Sequence, residues 1–201
     1  MSPRLRRRSR ASGGYTLVEV LAALAVLGAG LLGIVAMQGA AVGANQRAHE
    51  ITMATALARR WQDRLRRDSY QWNFPSQANP VSNLNNTWYL GQLLTVQDTN
   101  WIQPPSRTDG AQLVEHAAAD YFGNDVSPIS SDAYYCVHVR LAMLVPNQLA
   151  RAEVRVWWYR QGGQRPAAYD NCGQAALTTM GNDTTNVRWV HVTQLLQRHE
   201  L

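Results

Sequence analysis

Gly13-Gly14-Tyr15-Thr16-Leu17-Val18-Glu19-Val20-Leu21 stands where a polar, Arg-rich stretch meets a long apolar one. Upstream, residues 1–14 carry Arg4, Arg6, Arg7, Arg8 and Arg10 and no acidic residue. Downstream, the 29 residues from Tyr15 to Gly43 are chiefly Leu, Val, Ala, Gly and Ile, and Glu19 is the only charged side chain among them. As a helix rising about 1.5 Å per residue this run is roughly 43 Å long, ample for a hydrocarbon core of about 30 Å. The arginines before it predict a cytoplasmic N-terminus and an exported remainder by the positive-inside rule. A carboxylate inside such a span is costly unless it is paired, which singles out Glu19 as functional.

The helical pattern does not stop at the apolar run. No proline occurs between Tyr15 and Phe74. From Asn45 to about Tyr70, Ile51, Ala54, Leu57, Ala58, Trp61 and Leu65 recur at steps of three and four and form one apolar stripe. Arg47, Glu50, Arg59, Gln62, Asp63, Arg66 and Arg67 fill much of the other side. One continuous helix of about 55 residues is the simplest reading, apolar all round in its first half and amphipathic in its second. The chain has 19 Lys+Arg, all of them Arg, against 14 Asp+Glu, but removing the five leader arginines leaves 14 against 14. The basic balance thus belongs to a leader, and no nucleic-acid surface is expected.

With these residues in place, the junction resembles the processing site of type IV prepilins and type II secretion pseudopilins: a glycine, an aromatic, three residues, a glutamate, then an apolar helix. Gly30-Leu31-Leu32-Gly33, Met37-Gln38 and Ala44-Asn45-Gln46 further resemble the first helix of PilV-type minor pilins. The likeness covers residues 14–70; beyond them it extends only to architecture, a β-sheet packed on the helix with a C-terminal disulfide. It implies an α+β, type IV pilin-like fold. It also implies cleavage between Gly14 and Tyr15 by a membrane-embedded prepilin peptidase, N-methylation of Tyr15, and pairing of Glu19 with the new α-amino group to guide subunit assembly. The domains expected are a leader (1–14), a membrane half of the helix (15–44), its amphipathic half (45–70) and an outer domain (71–201). Major pilins commonly carry a proline midway along the apolar helix, where this chain has Ala36 and Met37. That departure favours a minor subunit.

Residues 71–130 are rich in Pro, Asn, Asp and Gly and read as loop, with a short strand near Trp88–Val96 and a short helix near Ala111–Ala119. From Tyr134 to Val145 apolar and polar residues alternate, Pro146 and Asn147 break the run, and Ala152–Tyr159 alternate again. The pair predicts an antiparallel hairpin, and Val187–Leu196 a last strand. Cys136 and Cys172 match no zinc pattern, and in an exported chain they are expected to pair, the alternative being two separate buried thiols. Trp157, Trp158 and Tyr159 form an aromatic patch in which one tryptophan faces outward unless both sheet faces are covered.

Other constellations carry little. His116 and Asp120 would share a face of the expected helix and read as solvated. Asp120, Asp125 and Asp132 lack calcium-loop spacing, and Ser127, Ser130 and Ser131 lack a nucleophile elbow. No cofactor, metal or enzymatic activity is expected. The expected role is a minor pilin in a type IV pilus, near its tip, serving motility, adhesion or DNA uptake. Its partners would be the prepilin peptidase, other minor pilins, the major pilin, a tip adhesin, the inner-membrane assembly platform and inner-membrane lipid. Two other readings are a minor pseudopilin of a type II secretion system and a single-pass periplasmic scaffold or sensor. An ordinary signal peptide cut near Ala41 or Ala44 fits less well, because the apolar run is about twice the usual length and the helix continues past it.

Overall fold

A single helix, α1 (Leu17–Asn73), opens the computed structural model, which describes residues 16–73, 83–109, 112–160, 172, 183 and 185–198. The chain divides into two units, residues 1–47 and 48–201. In the first unit only Thr16 and α1 are described. Leu17, Leu24, Leu31, Leu32, Ile34 and Met37 each expose more than half of their surface. An apolar surface of that kind needs a covering of lipid or protein. Gly28, Gly30, Gly33, Gly39 and Gly43 lie within the helix, and a Cβ on any of them would meet nothing within 4 Å. Among the described residues they face no packing partner.

In the second unit residues 48–73 of α1 lie on an antiparallel sheet. Its strands are β1 (Asp98–Ile102), β4 (Ala118–Ala119), β5 (Asp125–Val126), β6 (Tyr135–Val145), β7 (Leu149–Tyr159) and β8 (Val187–Gln197). The order is β5-β4-β6-β7-β8, with β1 also on β6; β2 (Arg107–Asp109) and β3 (Gln112–Glu115) pair separately. This is the α+β architecture of a type IV pilin-like fold. Ala54, Leu57, Ala58, Trp61 and Leu65 from the helix meet Tyr135, Val137, Val139, Leu141, Val154, Val156 and Trp158 from the sheet in one buried core. The expected stripe is therefore the packing face, except that Ile51 stays 47% exposed. Glu50, expected on the solvated side, is buried, as are Arg64 and Asp68.

The hairpin forms as the alternation predicts, with Val139 opposite Val154 and no shift of register until Met143. Its outer face is not solvated throughout. Cys136, Trp157, Ala118, Ala133, Cys172 and Val187 make a second, smaller core there. Both sheet faces are therefore covered at this point, and Trp157 and Trp158 are both buried; Trp189 of β8 is 41% exposed. Cys136 and Cys172 are joined as a disulfide, Cα to Cα 5.3 Å.

Two local expectations fail. Trp88–Val96 forms no strand but lies across a 3-10 helix, Leu90–Leu94, which another at Leu84–Asn86 precedes. The carboxylate of Asp68 gathers the N–H groups of Trp88, Tyr89 and Leu90 at 2.7, 2.8 and 3.0 Å. Successive donors converge on one acceptor only where the backbone turns helically, so this contact overrides the aromatic and β-branched preference for a strand. The helix expected near Ala111–Ala119 is absent from the described residues 112–119, which contain β3 and β4. Ala118 and Ala119 pair with Cys136 and Tyr135, where small side chains fit between the two cores. His116 and Asp120 therefore share no helix face.

Candidate processing and assembly segment

The helix start is built from its own sequence. Thr16 precedes α1, and its backbone carbonyl accepts the N–H of Glu19 at 3.0 Å and of Val20 at 3.2 Å. The Thr16 hydroxyl also accepts the Glu19 N–H, at 3.3 Å. Thr16-Leu17-Val18-Glu19 thus has the spacing of a capping box, and Glu19 lies in the first turn, where the helix dipole favours a negative charge. Sequence reasoning singled out Glu19 as a buried charge in lipid but overlooked this cap, although Thr three residues before Glu is its signature. Gly14 and Tyr15, the expected cleavage and methylation positions, lie outside the described residues. Glu19 is exposed in the chain by itself, so its carboxylate is open to a charge from outside this helix.

Three buried polar side chains tie residues 48–73 of α1 to the domain, and periodicity alone revealed none of them. Glu50 accepts the Tyr134 hydroxyl at 2.9 Å and the Trp158 indole N–H at 3.1 Å, while the Tyr135 hydroxyl reaches the Glu50 carbonyl at 3.5 Å. Burial, together with the hydrogen bond to Glu50, pushes the Tyr134 hydroxyl well above its ordinary value. One turn beyond Arg60, Arg64 pairs with Asp125 and with Glu115, the latter at 3.4 Å, and its guanidinium stacks on Trp61, 4.8 Å from the ring centre. Glu115 in turn accepts the Tyr89 hydroxyl at 2.7 Å. Asp68 holds the three N–H groups described above. Burial raises its carboxyl above the usual carboxylate value, and the hydrogen bonds from Leu90, Trp88 and Tyr89 oppose the shift. Glu50, Arg64 and Asp68 thus each join the helix to segments 20 or more residues away in sequence.

The disulfide has its own polar support. His138 Nδ1 accepts the Trp157 indole N–H at 2.8 Å, and Nε2 donates to the Cys172 carbonyl at 2.9 Å. These partners require the neutral imidazole, and burial pushes its pKa down to about 4. Among the described residues no group of three or more His, Cys, Asp or Glu is placed to hold a metal ion.

A family model described as the prokaryotic N-terminal methylation motif matches residues 9–35. That match supports a type IV prepilin-like N-terminus. The match spans the junction, Thr16, Glu19 and the first five turns of α1. Neither a curated protein nor a solved structure matches the chain. A prepilin-like N-terminus implies processing by prepilin peptidase and assembly with other pilins, and the exposed apolar surface of residues 17–42 fits membrane anchoring and incorporation into a pilus. The motif supports a type IV pilin or pseudopilin, and the fold is pilin-like.

Proposed function

We propose that the chain is a minor pilin. It is cut between Gly14 and Tyr15, methylated on Tyr15, and held in the inner membrane with its domain in the periplasm. It then helps to prime assembly near the tip of a type IV pilus that serves motility, adhesion or DNA uptake. The observation that carries this reading is the methylation motif on an apolar run, residues 15–43, whose one charge is Glu19. Ala36 and Met37, where major pilins commonly have a proline, favour a minor subunit. After cleavage the Tyr15 α-amino group is a positive charge in lipid, and Glu19, one turn on, can neutralise it within a subunit or between neighbours. The partners are the prepilin peptidase, other minor pilins, the major pilin, a tip adhesin and the assembly platform.

Replacing Glu19 with Ala separates targeting from assembly. Membrane insertion and cleavage should persist, because the apolar helix and Gly14 are intact. Docking should fail, since an amino group stripped of its counter-ion costs about 3–5 kcal/mol, or roughly 10² to 10³ in association. Fractionation of cells making Glu19→Ala should show a cut, membrane-retained chain missing from sheared pili. Normal incorporation would refute the role given to Glu19.

A further inference from the structure

The two edges of the sheet are not alike. On one side lie β5, two residues long, and β1, whose register on β6 shifts between Asp98 and Trp101 and which holds Asn100 at φ 54°. Short, bulged strands of this kind resist pairing with another chain. On the other side β8 runs for 11 residues in unbroken register with β7, and among the described residues no strand pairs with its far edge. The direction of its backbone groups follows from the strand ends. Arg160 N–H donates to Asn186 O, and Arg198 N–H to Gln148 O. Even-numbered residues of β8 therefore face β7, and the N–H and C=O groups of Val187, Trp189, His191, Thr193 and Leu195 point outward. The outward carbonyl of Thr193 is already met by the Gln62 side chain at 3.3 Å, and the Val187 N–H by Asp183 O at 3.2 Å. The open stretch is centred on Trp189 and His191.

Beside that stretch lies an apolar groove of about 350 Å³ lined by Ile51, Trp158, Val187, Arg188, Trp189 and Val190. Ile51 and Trp189, 47% and 41% exposed, both belong to it. Free backbone groups at alternate positions of a strand fit one kind of ligand, an extended chain that adds itself as a further strand, with an apolar side chain set into the adjoining groove.

We propose that the Val187–His191 edge of β8, with the Ile51–Trp158 groove, docks one extended strand of a different pilin-like subunit. This rests on the pilin reading above. A second copy of this chain fits poorly. Its β8 would pair antiparallel only about a two-fold axis, a closed contact that a filament of one polarity does not contain. Its opposite edge is the short, bulged one. Docking is then one-sided, as suits a subunit that is used once in an assembly rather than repeated along it.

The test uses the full chain in its own host, with the photo-cross-linking residue benzoylphenylalanine replacing Trp189. We expect an adduct with a different subunit that mass spectrometry shows to carry its own N-terminal methylation motif. His191→Pro removes one outward N–H, which an edge strand tolerates, and Ile51→Glu places a charge in the groove from an exposed helix position. Each should lower the adduct roughly tenfold or more. The Cys136–Cys172 disulfide and the melting temperature should be kept, so folding is scored separately. An adduct with a second copy of this chain overturns the proposal. So does an adduct indifferent to both substitutions, or none at all from a chain that is cut and present in pili. A chain left uncut at Gly14 and absent from pili overturns the pilin reading itself, and this proposal with it.

Discussion

Replacing Asp68 with Ala should loosen the segment that follows α1 before anything else. Its carboxylate is the shared acceptor for the Trp88, Tyr89 and Leu90 N–H groups. Trp88 is nearly half exposed and can turn to water, but Tyr89 and Leu90 are buried. Two buried donors left without a partner cost about 1–3 kcal/mol each. Part of that loss is returned, because the raised pKa of Asp68 shows that burial already opposes its charge. A net loss of about 3 kcal/mol follows, which for a domain of this size lowers Tm by roughly 6–12 °C. Asp68→Asn keeps an acceptor but turns an NH2 group toward one of the donors, so it should lose about half as much. Thermal unfolding of the full chain in detergent measures the global effect, and amide exchange at Tyr89 and Leu90 the local one. Unchanged protection of those two amides in Asp68→Ala would refute the argument, whatever happened to Tm.

Stability should fall on acidification because of His138. Its folded pKa of about 4 lies below the ordinary 6.5, so the unfolded chain binds the extra proton first. The contribution of the neutral ring, on the order of 3 kcal/mol, is complete above pH 6.5 and is lost progressively as the pH falls toward 4. In His138→Phe, melting curves across that window should be flatter. Reduction of Cys136–Cys172, or replacement of both cysteines with Ala, frees a loop with a sequence separation of 36 and should cost about 4 kcal/mol on the chain-entropy account. Intact mass under non-reducing conditions should be two hydrogens below that of the reduced chain, and two free thiols would contradict the pairing.

How far the fold could be read from the sequence depended on whether a signal was local. The apolar run and the stripe from Ala54 to Leu65 declare themselves by composition and period, because lipid and core select side chains one by one. The β6–β7 hairpin did so too, since Pro146 and Asn147 interrupt two alternating runs. Glu50 looked like a solvated residue, and Arg64 and Asp68 gave no signal, because what satisfies them lies far along the chain. Tyr134 and Trp158 are 84 and 108 positions from Glu50. The segment 88–96 misled for the same reason, its aromatic and aliphatic content suggesting a strand until Asp68 drew its N–H groups into a helical turn. Of the assembly segment, Glu19 was legible as a charge in an apolar run, whereas its bond to Thr16 was overlooked although the spacing was visible. His138 gave no signal, for its partners are a tryptophan on the next strand and a carbonyl brought back by the disulfide.

A processed, pilin-like subunit declares itself at the N-terminus of its mature form. Protein recovered from its own host should begin at Tyr15 and carry one N-methyl group, seen by intact mass and by N-terminal peptide sequencing. Gly14 replaced by a bulky residue should leave the precursor uncut. A mature chain that begins at Met1, or near Ala41, would contradict the account.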